Sequence, residues 1–250
     1  KVACGEFIYP GFRAIASRLG IKLVPLPEMN AAALDHACTE NKITALYVVP
    51  TNDNPTAATI PVYEREKIAE VALRHNLQII EDDAYGLLPK RFLPAISSLM
   101  PQRSWHILST SKTISPALRI AFVSAPSVAD AIRLRGEVHD IAVMPPPLNA
   151  AMVALWLRDG TFDTLLSAVR TEAERRSQLA ANILSGYSMG RHPQGYHIWL
   201  QLPEGASASY LSQKLAAAGV GAIPSDRFAV RKTDIQALRV SLGGVTPQAT

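Results

Sequence analysis

Lys112 stands in Ser109-Thr-Ser-Lys-Thr-Ile-Ser-Pro-Ala-Leu-Arg119, a run that gathers hydroxyls and two cations directly after an apolar stretch. A lysine amine can form a Schiff base with a carbonyl compound, and the hydroxyls of Ser109, Ser111, Thr113 and Ser115 with the Arg119 guanidinium supply donors for a phosphate. Pro116 rules out a helix interior through this run. Taken alone, these residues equally fit a solvated polar loop. Two more clusters complement them. Ile79-Ile-Glu-Asp-Asp-Ala-Tyr85 ends an apolar run in three carboxylates, and Val48-Val-Pro-Thr-Asn-Asp-Asn-Pro-Thr56 ends another in amides and hydroxyls.

Polar clusters at the ends of successive buried strands are what an open α/β sheet presents along its ligand-binding edge. The elements that hold them are legible as periodicities. Apolar positions 12, 15, 16 and 19 fit one helical face, residues 21–26 a short strand, 31–40 a helix and 45–50 a buried strand. Pro61 suits the first turn of a helix to about Asn76, with Ile68, Val71 and Ala72 on one side and Glu64, Arg65 and Lys67 expected to be more exposed. Residues 77–80 and 105–109 read as strands feeding the acidic cluster and the lysine loop, and 117–123 as a strand leaving it. Glu81 is expected to face solvent and Asp83 to cap a turn, while His106, inside an apolar run, reads as a core histidine. Strand, helix, strand in this order predicts a mostly parallel sheet.

Ser127 predicts an N-cap for a helix through about Val143. Pro145-Pro-Pro147 marks a hinge, after which helices at 148–158 and 162–184 lead to a smaller α/β unit with strands at 194–203, 220–223 and 237–242 and a helix at 207–218. The expected division is therefore 1–145, part of a large domain, and 146–250, connector helices and a small C-terminal domain. The chain starts and stops in what reads as mid-domain sequence, and Val245–Thr250 reads as the start of a new helix, so the large domain is expected to be incomplete at its N-terminus.

The bulk properties exclude several classes. With 250 residues, 48% hydrophobic, the chain can bury a sizeable core. Its net charge is +4, and the 25 Lys and Arg are scattered with no block suited to nucleic acid. Cys4 and Cys38 have no metal-ligand or redox-motif spacing and read as thiols of a cytoplasmic protein, a single disulfide being the alternative. No apolar run approaches the roughly 18–20 residues needed to span a bilayer, so no membrane partner is expected.

In order and spacing, Asn54-Pro-Thr, Asp82-x-Ala-Tyr85 and Ser109-x-Ser-Lys112 followed by Arg119 resemble the signature of fold type I pyridoxal 5'-phosphate enzymes, the aspartate aminotransferase class. The resemblance covers most of the chain and implies a large cofactor domain followed by a small α/β domain. It implies that Lys112 carries the cofactor, Asp82 pairs with the pyridine nitrogen, Asn54 and Tyr85 donate to the phenolate oxygen, and Ser109, Ser111 and Arg119 bind the phosphate. Tyr9 occupies the place of the aromatic residue that stacks on the ring; turn packing before Pro10-Gly11 is its other reading. Arg239, between apolar neighbours in the last strand, matches the arginine that clamps a substrate α-carboxylate, although a strand arginine can also simply face solvent. Tyr196 and His197 match positions lining the side-chain pocket. Ala57 and Ser225 depart from the pattern, standing where relatives usually have Gly.

The wording of the Glu-Asp-Asp-Ala-Tyr-Gly run and of the lysine loop is similar to the aminotransferase-like half of MocR-type regulators in the GntR group. That resemblance implies a domain that senses an α-amino acid or amine effector, a homodimer, and DNA binding only through a winged-helix domain absent from this chain. A free-standing class I/II aminotransferase is the first alternative, and another fold type I enzyme, a decarboxylase or carbon–sulfur lyase, the second.

Overall fold

The computed structural model describes residues 1–243. Its first half builds a six-stranded sheet from β1 (Val2–Gly5), β2 (Leu23–Leu26), β3 (Ala45–Val48), β4 (Gln78–Asp82), β5 (Ser104–Ser109) and β6 (Ala121–Ser124) in the order β2-β1-β3-β4-β5-β6. β1 to β5 are parallel and β6 is antiparallel to β5. The strand order reverses at β1, so the crevice beyond the carboxyl ends of β1 and β3 is the topological switch point where open sheets of this kind take ligands. Tyr9 follows β1 and Asn54 follows β3, which sets both beside that crevice.

Helices α1 (Pro10–Arg18), α2 (Ala31–Glu40) and α3 (Val62–Arg74) connect these strands. α2 starts where it does because the Asn30 side chain accepts the Ala33 N–H at 2.8 Å. Pro61 sits one residue earlier than expected, as the N-cap of α3. Leu34, Leu46, Ile68, Ala72, Leu77 and Ile79 are buried together between α2, α3 and the sheet. Burial of such side chains, at about 1.5–3 kcal/mol each, fixes the registers on which the polar strand ends depend.

Two expectations about exposure are overturned here. Arg65 lies on the buried face of α3, with Ile68, Ala69 and Ala72, and is 1% exposed. Glu81 does not face solvent: it is fully buried, accepting the backbone N–H groups of Ile96 and Ser97 at 2.9 and 2.7 Å. In both cases hydrogen bonds to main-chain groups offset the desolvation of a charge.

After β5 the chain makes a single helical turn, α4 (Thr110–Thr113), then a 3-10 turn at Pro116–Leu118, so β6 begins later than the apolar run suggests. The Ser127 side chain caps α5 (Val128–Ala142) as expected, accepting from Asp130 N. α6 (Pro147–Asp159) and α7 (Thr161–Ile183) meet at Gly160, whose φ of +82° closes one helix and opens the next. α7 buries Phe162 and Leu166 against Tyr85 and Leu88 of the first sheet's loops.

A second, antiparallel sheet follows in the order β7-β8-β10-β9, from β7 (Met189–Arg191), β8 (His197–Gln201), β9 (Ala222–Pro224) and β10 (Ala237–Ser241), with α8 (Ala208–Ala217) packed on it. The three-residue β7, containing Gly190, is too short to leave a periodic signal in the sequence. The helix expected over 245–250 lies outside the described residues. No helix among the described residues is long and apolar enough to cross a membrane.

Candidate active site

Each polar cluster emerges from a strand end. The loop after β3 is pinched at its neck, where Ile60 N donates to Pro50 O at 2.9 Å. The buried Arg65 guanidinium locks that neck, donating to Ile60 O, Pro50 O and Thr51 Oγ1 at 2.9, 2.9 and 3.0 Å and to Pro94 O at 2.9 Å. A lysine has no planar fork with which to reach four acceptors at once. Within the loop Asn52 and Ala57 adopt left-handed backbone, φ +48° and +57°. Ala57 meets that geometry despite carrying a Cβ, which makes the turn tight but strained.

Asp82 ends β4. Its Oδ2 accepts the Tyr47 hydroxyl at 2.9 Å across the β3–β4 pair. Burial raises the Asp82 pKa, the Tyr47 hydrogen bond opposes that, and the neighbouring Asp83 carboxylate adds to it. Asp83 does more than cap a turn, since its side chain is buried with Oδ2 3.7 Å from His106 Nε2. His106 is thus a half-buried partner of that carboxylate, with its pKa raised by it.

α4 presents Lys112. The Ser109 hydroxyl caps this turn, accepting Ser111 N at 3.1 Å, while Thr113 and Thr110 hydroxyls donate to Ser109 O and Ile120 O. Burial lowers the pKa of the Lys112 amine, and the cations of Arg239 and Arg119 lower it further. Arg119 takes a left-handed conformation, φ +54°, at the close of the 3-10 turn, with its side chain exposed.

Tyr85 is buried, with its pKa pushed up to about 12 by burial; Arg239 opposes the shift, and Asp53, Asp82 and Tyr9 add to it. Those four side chains therefore surround one phenol. Tyr9 itself is half-exposed, its ring lying so close over Gly11 that a Cβ there would stand 2.4 Å from the ring. Arg239 comes from β10 of the second sheet, opposite Trp199 of β8, and its charge acts on Tyr85 and Lys112 of the first sheet's loops. Ser225, in place of a glycine, ties the approach to β10 by donating to Ile235 O at 2.7 Å.

Tyr9, Asp82 and Arg239 thus gather around Tyr85, Arg119 and Arg239 stand near Lys112, Asn54 follows Asp53 in the loop after β3, and Ser109 and Ser111 lie at the start of the Lys112 turn. Two residues matched to the side-chain pocket make different contacts. Tyr196 Oη donates to the Lys112 carbonyl at 2.7 Å, and His197 Nε2 to the Asp53 carbonyl at 2.9 Å. Tyr47, Asp53 and Arg65 are additions that the sequence reading passed over. Arg65 had a usable signal, because positions 65, 68, 69 and 72 share one helical stripe. A cavity of about 420 Å³ opens beside Asp53, between Phe7, Met29, Tyr47, Trp199 and Ile235.

Asn54 Oδ1, Arg239 Nε and His197 Nδ1 are buried and unpartnered among the described residues. Unpaired buried polar atoms are rare unless a ligand or water completes them. With a lysine amine and hydroxyls alongside, they fit a group that carries a carbonyl, a ring and a phosphate.

Residues 1–250 match the family model for aminotransferase class I and II. The chain belongs to the class I and II aminotransferases. Pyridoxal phosphate is the cofactor of this family. An HTH-type transcriptional regulator of Bacillus subtilis, YdeF, is 32% identical over 97% of this chain and 53% of its own length. The 2-aminoadipate transaminase of Thermus thermophilus is 27% identical over 84% of the chain and 55% of its own length. The chain thus spans about half the length of these curated relatives. Among solved structures, LysN, the α-aminoadipate aminotransferase of Thermus thermophilus complexed with N-(5'-phosphopyridoxyl)-L-leucine, superposes with a TM-score of 0.88 at 23% identity, over 99% of this chain and 67% of that one. A Pyrococcus horikoshii kynurenine aminotransferase gives 0.91 at 18% identity, over 99% and 65%. These two likenesses establish the fold, with its mostly parallel sheet and smaller antiparallel one.

Proposed function

We propose that this chain is the cofactor- and effector-binding domain of a MocR-type regulator, holding pyridoxal phosphate at Lys112 and recognising an α-amino acid through Arg239. The observation that supports this reading is that Asp82 and Arg239 stand near Tyr85, and Arg239 near Lys112, while Asn54 Oδ1 and Arg239 Nε are buried without a partner among the described residues. The regulator half is supported by the 32% identity to YdeF across nearly the whole chain. In this reading residues 1–145 belong to the cofactor domain and 146–250 to the connector and small domain, the protein works as a homodimer in the cytoplasm, and DNA is bound by another domain.

Bound in the cleft, pyridoxal phosphate supplies an electron sink for the bond broken at the amino acid's Cα. The residues have separate tasks. The Asp82 carboxylate, its anionic form favoured by the Tyr47 hydrogen bond, attracts a protonated pyridine nitrogen. Asn54 and Tyr85 donate to the phenolate oxygen; Ser109, Ser111 and Arg119 bind phosphate oxygens, Arg119 with a bidentate fork. Tyr9 covers one ring face. Arg239 grips the α-carboxylate, and the Lys112 amine, with its lowered pKa, takes and returns the proton at Cα.

A free-standing aminotransferase is the second reading, favoured by the Thermus transaminase relative. The decisive experiment titrates the intact protein and its Lys112→Ala variant with pyridoxal phosphate, adds a panel of amino acids, and measures DNA binding alongside. A Lys112-dependent visible band that one amino acid alters, together with a change in DNA affinity, is the expected result. A band and stoichiometric keto acid with no DNA response would select the enzyme, and no band would overturn both readings.

A further inference from the structure

Gly195, Tyr196 and His197, three successive residues leading into β8, touch both loops that face the cleft. A Cβ on Gly195 would stand 2.8 Å from Asn52 Oδ1, Tyr196 Oη bonds the Lys112 carbonyl, and His197 Nε2 bonds the Asp53 carbonyl next to Asn54. The same segment is part of the strand pair that carries Arg239. His197 pairs with Ser241 and Trp199 with Arg239, and Leu242 N donates to Tyr196 O at 2.7 Å.

We infer that Tyr196 and His197 are positioning residues that transmit carboxylate occupancy at Arg239 to Lys112 and Asn54. This inference rests on the function proposed above. Both bonds end on backbone carbonyls, so a shift of β10 toward a bound carboxylate pulls on the Lys112 turn and on the Asn54 loop, not merely on one rotatable side chain. The strand ladder between β8 and β10 makes Arg239 and the two donors move as one body. A neutral imidazole suits the position. Its Nε2 carries the hydrogen given to Asp53 O, and burial with the charges of Arg239 and Lys112 holds its pKa down at about 4. A charged donor there would compete with Arg239 for the carboxylate.

Hydrogen exchange in the intact protein, with and without 3-phenylpropionate or adipate, reads this coupling directly. These acids offer a carboxylate but no amino group to react. In the unsubstituted protein, saturating acid is expected to slow exchange at least fivefold in peptides covering 50–60 and 109–115. Tyr196→Phe and His197→Phe are expected to bind the acid within threefold of the original affinity by calorimetry, yet to lose most of that slowing. His197→Gln, whose amide can again donate to Asp53 O, is expected to restore it at 50–60. Full slowing in both Phe variants would overturn the inference, as would an affinity loss above tenfold with slowing retained. Should His197→Phe fail to fold, Tyr196→Phe decides. Acid binding that is absent from the unsubstituted protein, or unaffected by Arg239→Lys, would overturn the role of Arg239 itself, and this inference with it.

Discussion

Tyr47 and Asp82 are joined by a 2.9 Å hydrogen bond between neighbouring parallel strands, the phenol of one buried strand meeting the carboxylate that ends the next. The bond favours the charged form of an acid that burial and Asp83 both push toward neutrality. Tyr47→Phe removes it with little change in volume. Cofactor affinity is expected to fall about tenfold, on the order of 1.4 kcal/mol, with the loss growing as pH falls toward the raised Asp82 pKa. Pyridoxal phosphate titrations at several pH values check this; a pH-independent affinity equal to that of the original protein would refute it.

Asp53 gives a pH signature of its own. Burial lifts its carboxyl to about 6, against hydrogen bonds from Thr56 that favour the anion. The folded state therefore keeps this proton up to about pH 6, while the unfolded chain releases it near 4. Stability from this group is complete below about pH 4 and is lost as pH rises to about 6. Asp53→Asn removes that slope, and above pH 6 the variant is expected to gain about 2 kcal/mol relative to the original protein. Urea unfolding from pH 4 to pH 7 tests the sign; parallel pH profiles for the two proteins would contradict it.

Arg65→Lys keeps the charge but loses the four-way clamp on the Asn54 loop. A cost of about 2 kcal/mol is expected, since buried carbonyls are left unpaired. Thermal unfolding is expected to shift down by about 4–8 °C for a chain of this size. A shift below 1 °C would mean that the loop neck is held by other means.

Much of the fold and of the candidate site is legible in the sequence because both are carried by short-range signals. Asn54, Asp82 and Lys112 each stand within a few residues of the end of an apolar run, and α2 and α5 announce themselves through Asn30 and Ser127 caps. Arg65 is misjudged because a charged residue between Glu64 and Glu66 reads as a solvated face, when its acceptors are three carbonyls and a hydroxyl 5 to 29 residues away. Glu81 is misjudged similarly, because its partners are backbone N–H groups beyond the next loop. The contacts of Tyr196 and His197 depend on how two sheets face each other, which no local pattern encodes.

Ala57 offers a stabilising change. Its φ of +57° suits glycine, and a left-handed Ala is strained by roughly 1–2 kcal/mol. The greater unfolded-state entropy of Gly offsets part of that. Ala57→Gly is expected to raise stability by about 0.5–1 kcal/mol with cofactor affinity unchanged. Chemical denaturation gives the answer, and a destabilised variant would show that the buried Ala57 methyl matters more for packing.

The proposed function turns on Lys112 as the residue that holds the cofactor. Borohydride treatment of the intact protein loaded with pyridoxal phosphate, followed by peptide mass spectrometry, tests it most directly. A phosphopyridoxyl group is expected on the peptide containing Lys112, and none on that peptide in the Lys112→Ala variant. Label on another lysine at equal yield in both proteins, or no label at all, would contradict it.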